Sequence, residues 1–215
     1  MADARASYTT LMRLSTLTQK NNSETTWHVA AALVIAVGLQ LVLKDNLAFG
    51  SKYALAALEG VLLVIVLIPS LHASARRLIA ILLVGFITVA NVFSLALVIK
   101  ALFSSGAVDG RQLLISSVAI YLTNIIVFGI LYWELDNTKP DQDDFAFPQA
   151  SLAGQSAWRP TFFDYLYVSI TNATAFSPTD TLPLTHRAKL LMTIQSITSL
   201  VTVALVAARA VNILS

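Results

Sequence analysis

Apolar residues in this chain come in long unbroken runs, and the polar residues between them mark where each run stops. The first run covers residues 27–43 and ends at Lys44-Asp45-Asn46. The second covers 53–71. The third, 78–103, opens after Arg76-Arg77 and closes at Ser104-Ser105-Gly106, while the fourth covers 113–133. The fifth, 188–214, contains neither glycine nor proline. A helix rises about 1.5 Å per residue, so about twenty apolar residues cross a hydrocarbon core about 30 Å thick. Each run is therefore predicted to be a spanning helix. None shows the strict alternation that a barrel strand requires.

The region between the fourth and fifth runs differs. Glu134, Asp136, Asp141, Asp143 and Asp144, with Pro140, Pro148 and Pro160, predict an aqueous loop. Residues 162–175 are apolar and aromatic again, but at about 21 Å as a helix they are too short to cross. They meet Ser177-Pro178-Thr179-Asp180, which breaks a helix, before Pro183 and a new helix start. The pattern predicts a helix that enters the membrane halfway and a chain that returns in extended form. Such backbone is tolerated in a bilayer only where it is buried in protein or lines a watery cavity. An amphipathic helix lying on the membrane surface is the other reading. Trp158, Phe162, Phe163, Tyr165 and Tyr167 fall where an interfacial aromatic belt would sit.

Composition identifies the solvent. The chain is 56% hydrophobic and 12% charged, with mean hydropathy +0.72, whereas a soluble domain carries charge on about a quarter of its residues. The fold class expected is all-α: a polytopic membrane protein with about five transmembrane helices and a re-entrant half-helix before the last span. Residues 1–24 form a tail, 25–108 hold three helices, and 109–215 form a second unit. In the tail, Arg5, Arg13 and Lys20 accompany no apolar signal-peptide core, so it is expected to be retained. Leu11, Met12, Leu14 and Leu17 give it one apolar face, compatible with a short interfacial helix or with a disordered tail.

A net charge of +2 with singly scattered basic residues sets nucleic acid aside as a partner. Without cysteine there is no disulfide, thiolate metal site or cysteine nucleophile. No paired-histidine motif, phosphate-binding glycine loop or nucleophilic serine setting occurs, so neither an enzyme nor a cofactor is expected. Asp141, Asp143 and Asp144 lack the glycine and spaced glutamate of a calcium loop and read as solvated. Asn172-Ala173-Thr174 matches a glycosylation sequon only formally, since it lies in the half-helix.

The segment from Tyr165 through Asp180 to Thr185 resembles the pore helix and filter of the tetrameric potassium-channel superfamily, without a gap. Residues Leu166 to Ser169, Thr171, Thr174, Asp180 and Pro183 to Thr185 fall in register with that family's aromatic pore helix, threonine-rich turn, filter aspartate and "PLT" restart, and Arg187 matches a basic residue that often follows. The resemblance implies that residues 109–215 are a pore-like module of outer helix, loop, pore helix, filter-like turn and inner helix. The filter-like turn is then Thr174, Ala175, Phe176, Ser177, Pro178, Thr179 and Asp180. Where the family has glycine-aromatic-glycine, this chain has Ser177-Pro178-Thr179. Proline fixes φ near −65° and serine and threonine resist positive φ, so the carbonyl ladder of a potassium filter is not expected. The chain is also similar, across Tyr132-Trp133-Glu134-Leu135-Asp136 and residues 172–180, to bacterial membrane proteins of no assigned activity, which implies a bacterial cytoplasmic membrane.

Other positions stand out within the apolar runs. Gln195, Ser199 and Thr202 recur at spacings of four and three on the last helix, as a pore wall would, or as polar residues that bond helices together in lipid do. Glu59 is the one acidic residue deep in a run. Ion or proton handling is one reading; a neutral or paired carboxyl bonded to Gln40, Asn91 or Asn124 is the other. His28 reads as interfacial. No run carries the periodic arginines of a voltage sensor.

The function expected is an ion-channel-like, homo-oligomeric protein, a tetramer by resemblance, passing monovalent cations through a filter unlike that of potassium channels. The alternative is a non-conducting scaffold or sensor with the same fold; alternating-access transport is less supported, since the halves show no internal repeat. Basic residues flanking the re-entrant region favour an internal N-terminus, whereas the resemblance, with five spans, places it outside.

Overall fold

The computed structural model describes residues 27–43, 45–48, 51–66, 73–103, 109–136, 143–152, 158–174 and 181–214. The expected tail lies outside these residues. The helices are α1 (Trp27–Val42), α2 (Lys52–Val66), α3 (Ala73–Phe103), α4 (Gly110–Asp136), α5 (Phe162–Thr174) and α6 (His186–Leu214). Short 3-10 turns occupy Asp45–Leu47 and Pro148–Ser151, and β1 (Phe145–Ala146) pairs antiparallel with β2 (Leu182–Pro183). Among the described residues, α3, α4 and α6 are long and apolar enough to cross a membrane, and α1 is a shorter apolar helix. The chain is thus a helical, integral-membrane type of protein.

Helix α4 is the axis of the assembly, packing against α3, α5 and α6. It is also the most buried of the three long helices, and α6 the least. One part of the core joins Leu33 of α1, Leu83 and Ile87 of α3, Phe128 and Tyr132 of α4, and Phe162 and Tyr165 of α5. A second part gathers Leu43, Leu95, Val98, Leu113 and Ile120.

Helix α4 runs three residues past the end expected from hydropathy, because its terminal carboxylates have partners. Glu134 pairs with Arg77 at 3.6 Å, and Asp136 Oδ2 accepts the Tyr165 hydroxyl at 2.5 Å. Both acids are buried. Asp144, expected to be solvated, is buried as well, held by Arg187 and Thr185. The two ions neutralise one another, which a reading of isolated charges could not anticipate.

Helix α5 starts on the return half of a capping box. The Asp164 carboxylate accepts from the Thr161 amide at 2.6 Å and from its hydroxyl at 2.8 Å, satisfying a donor at the helix end. From there α5 descends antiparallel to α4: Phe162 meets Trp133, Leu166 lies over Gly129, and the Ser169 hydroxyl donates to the Ile125 carbonyl at 2.6 Å. Thirteen residues give a rise of about 20 Å, so α5 stops partway along the 27-residue α4. By Leu182 the described chain is back beside β1, near the α4 C-terminus. Helix α5 thus runs along α4 rather than across its end. Of the aromatic belt expected here, Phe163 and Tyr167 are exposed, while Phe162 and Tyr165 belong to the core.

Candidate functional site

Two short polar stripes, on α5 and α6, meet a third on α4. On α5 they are Ser169 and Asn172, three residues apart; on α6, Gln195, Ser196, Ser199 and Thr202. Gln195 is fully buried at their centre. Its Oε1 accepts the Tyr132 hydroxyl at 2.6 Å and Asn172 Nδ2 at 2.8 Å. Its Nε2 donates to Ser169 Oγ at 2.6 Å and to the Ser169 carbonyl at 3.0 Å. Asn172 also donates to the Met192 carbonyl at 3.0 Å and accepts the Ser196 hydroxyl at 2.9 Å. Asn124 of α4 donates to Ser199 Oγ at 2.8 Å, and the Thr202 hydroxyl turns back to the Thr198 carbonyl at 2.7 Å. In a medium without water each such group needs a protein partner. Gln195 has one for both ends of its amide.

The expected pore-lining residues Gln195, Ser199 and Thr202 are therefore all buried inside the chain, Gln195 bonded to α4 and α5 and Ser199 to α4. The outward face of α6 presents Leu190, Ile194, Ile197, Leu200 and Val203 instead. A polar stripe alone shows that one face differs, not which neighbour it meets.

Thr174 ends α5 with its hydroxyl bonded to the Ile170 carbonyl at 3.0 Å. The remainder of the filter-like turn, Ala175, Phe176, Ser177, Pro178, Thr179 and Asp180, lies outside the described residues. Glu59 is buried on α2, with Oε1 accepting Gln40 Nε2 at 3.1 Å and no hydrogen-bond partner for Oε2 among the described residues. Of Gln40, Asn91 and Asn124, Gln40 is the one bonded to Glu59. Asn91 donates to the Ile120 carbonyl at 3.1 Å and Asn124 is committed to α6. His28 packs edge-on to Phe163 at 5.1 Å, joining the start of α1 to the start of α5.

At the α4 C-terminal end a polar clamp holds the head of the molecule. Arg187 Nε lies 2.6 Å from Asp144 Oδ2, and its Nη2 donates to the Leu135 carbonyl at 3.0 Å. The Asp144 amide donates to Asp136, and the Leu184 amide donates to the Asp144 carbonyl at 2.8 Å. Thr185 caps α6 through its hydroxyl, which accepts the Ala188 amide at 3.2 Å. Tyr132, Ser169, Asn172, Asp136 and Asp144 were not singled out as site residues from sequence; paired polar stripes on neighbouring helices were the signal available for the first three. No family model, curated protein or solved structure matches this chain.

Proposed function

We propose that this chain is one subunit of a homotetrameric, channel-like protein of the bacterial cytoplasmic membrane, with five spanning helices and a cation-preferring pore. The observation that carries the reading is α5: a half-helix held between α4 and α6, antiparallel to α4 and stopping partway along it. The carbonyl end of such a helix is the negative end of its dipole and favours cations. In this reading α1, α2 and α3 are peripheral spans. Helix α6 is the inner helix, meeting the other copies through its exposed face. Asp180 and the hydroxyls of Ser177 and Thr179 supply the filter, and charge matters more than ion size. The loop side faces outward, with the N-terminus also outside. Ala150→Cys, at an exposed site of this cysteine-free chain, then reacts with an impermeant reagent from outside intact cells, and labelling only after permeabilisation reverses the orientation.

The test is flux from liposomes of the purified protein. Monovalent cations should pass in preference to chloride, and Asp180→Asn should reduce that preference most at low salt, where screening is weak. Equal chloride and potassium flux ends the cation assignment, and a monomer by native mass spectrometry ends the pore. The non-conducting scaffold or sensor is favoured by one observation. The polar stripe of α6 is used up inside the chain, leaving an apolar outer face, and an apolar constriction excludes water. Absence of flux from an intact tetramer selects that reading.

A further inference from the structure

A cleft of about 550 Å³ opens in the head, beside the α4 C-terminus and the segment that leads into α5. That volume falls within the range of small-molecule sites, about 300–1,000 Å³. Its walls include the rings of Phe145, Phe147 and Trp158 and the side chains of Asp136, Asp143 and Arg159. The aromatic groups are continuous: Phe147 stands 5.7 Å from Trp158 and 6.5 Å from Phe145, centroid to centroid. Phe145 and Phe147 are themselves buried, so the wall is fixed from behind.

The charges of the cleft are unevenly matched. Asp144, just behind it, is neutralised by Arg187. Asp136 is bonded by a hydroxyl and an amide, both neutral, and has no cationic partner among the described residues. Asp143 is exposed and makes no hydrogen bond or ion pair among the described residues. Arg159 donates to the Trp158 carbonyl at 2.9 Å and supplies the one positive charge among the described residues of the lining. Among the described residues, two carboxylates against one guanidinium make the lining acidic. A bare metal ion is a poor complement: no group of three or more His, Cys, Asp and Glu fit to hold one occurs among the described residues. Aromatic faces beside carboxylates complement an ammonium carried on an apolar body, through ring contact, cation–π attraction and charge.

We propose that this cleft binds small organic ammonium ions, the apolar body seated against Phe147 and Trp158 and the ammonium directed toward Asp143 and Asp136. The site does not depend on whether the protein conducts.

The test is calorimetric titration of the full chain in a neutral detergent at low ionic strength, with benzylammonium chloride, benzyl alcohol and sodium benzoate as probes, read alongside tryptophan emission. Benzylammonium should bind saturably and perturb the emission; the neutral and anionic analogues should not. Asp143→Asn, at an exposed position that the fold does not use, should weaken benzylammonium by about threefold to fivefold, as should added salt. Trp158→Phe keeps a ring in the wall and should abolish the emission change while leaving the heat. Failure of benzylammonium to saturate, an equal response to benzyl alcohol or benzoate, indifference to Asp143→Asn, or an emission change that survives Trp158→Phe overturns the proposal.

Discussion

Gly129 of α4 faces the backbone of Leu166 so closely that a Cβ added to it would lie 3.2 Å from the Leu166 Cα. This is the closeness that small residues give to helix contacts in membranes, where packing rather than exclusion from water holds helices together. Gly129→Ala sets a gain in helix propensity of up to about 1 kcal/mol against a contact that must yield slightly. It should stay within about 1 kcal/mol of the parent. Gly129→Leu should lose about 1–3 kcal/mol by overpacking. Thermal unfolding in detergent measures both, and an unaffected leucine variant would mean that α5 does not dock there.

Gln195 of α6 makes four side-chain hydrogen bonds to two other helices, α4 and α5. Gln195→Leu, similar in size, removes the acceptor of the buried Tyr132 hydroxyl and the donor to Ser169, at a cost of about 1–3 kcal/mol. Thr193→Val, at an exposed position on the same helix, should be nearly neutral. Equal melting temperatures for the two variants would show that the network contributes nothing.

The Asp144–Arg187 contact joins a buried carboxylate to a partly exposed guanidinium. Asp144→Asn keeps the shape but removes the charge, and should loosen the head by about 1.5–3 kcal/mol. Limited proteolysis should then cut between α4 and α6 before the helices unfold. A cleavage pattern identical to that of the parent would dissociate the clamp from the stability of the head.

Glu59 has its Oε1 on Gln40, and a glutamine side chain supplies the same acceptor. If the carboxyl acts as a neutral bonding group, Glu59→Gln should leave assembly and any flux nearly unchanged. A large fall in flux from an intact oligomer would assign it to ion or proton handling instead.

The main helices were legible because each rests on a local property, a run of apolar side chains ended by charge or a helix breaker. The short helix α5 was legible for the same reason, as a brief apolar and aromatic run. Pairings across the chain were not. Asp144 and Arg187 lie 43 residues apart, and nothing near either one predicts the other. Glu134 and Asp136 read as loop because charge normally ends a span; Arg77 and Tyr165 keep them helical. Gln195, Ser199 and Thr202 were visible as a stripe, but its direction depends on where α5 docks. Glu59 and Gln40 could be matched from sequence because both are isolated polar groups within apolar runs.

The β1–β2 ladder and the Arg187 clamp have a consequence for the order of biosynthesis. Among the described residues, the contacts that pin the head to the start of α6 use residues made after α5: Leu182, Pro183, Leu184, Thr185 and Arg187. Helix α5 can dock on α4 as soon as it is made, through Tyr165 on Asp136 and Ser169 on the Ile125 carbonyl, because both partners precede it in the chain. The Asp144 carboxylate, by contrast, gains Thr185 and Arg187 only once the start of α6 has been synthesised. A nascent chain halted before Arg187 should therefore hold α5 against α4 while the segment around Asp144 remains open to protease.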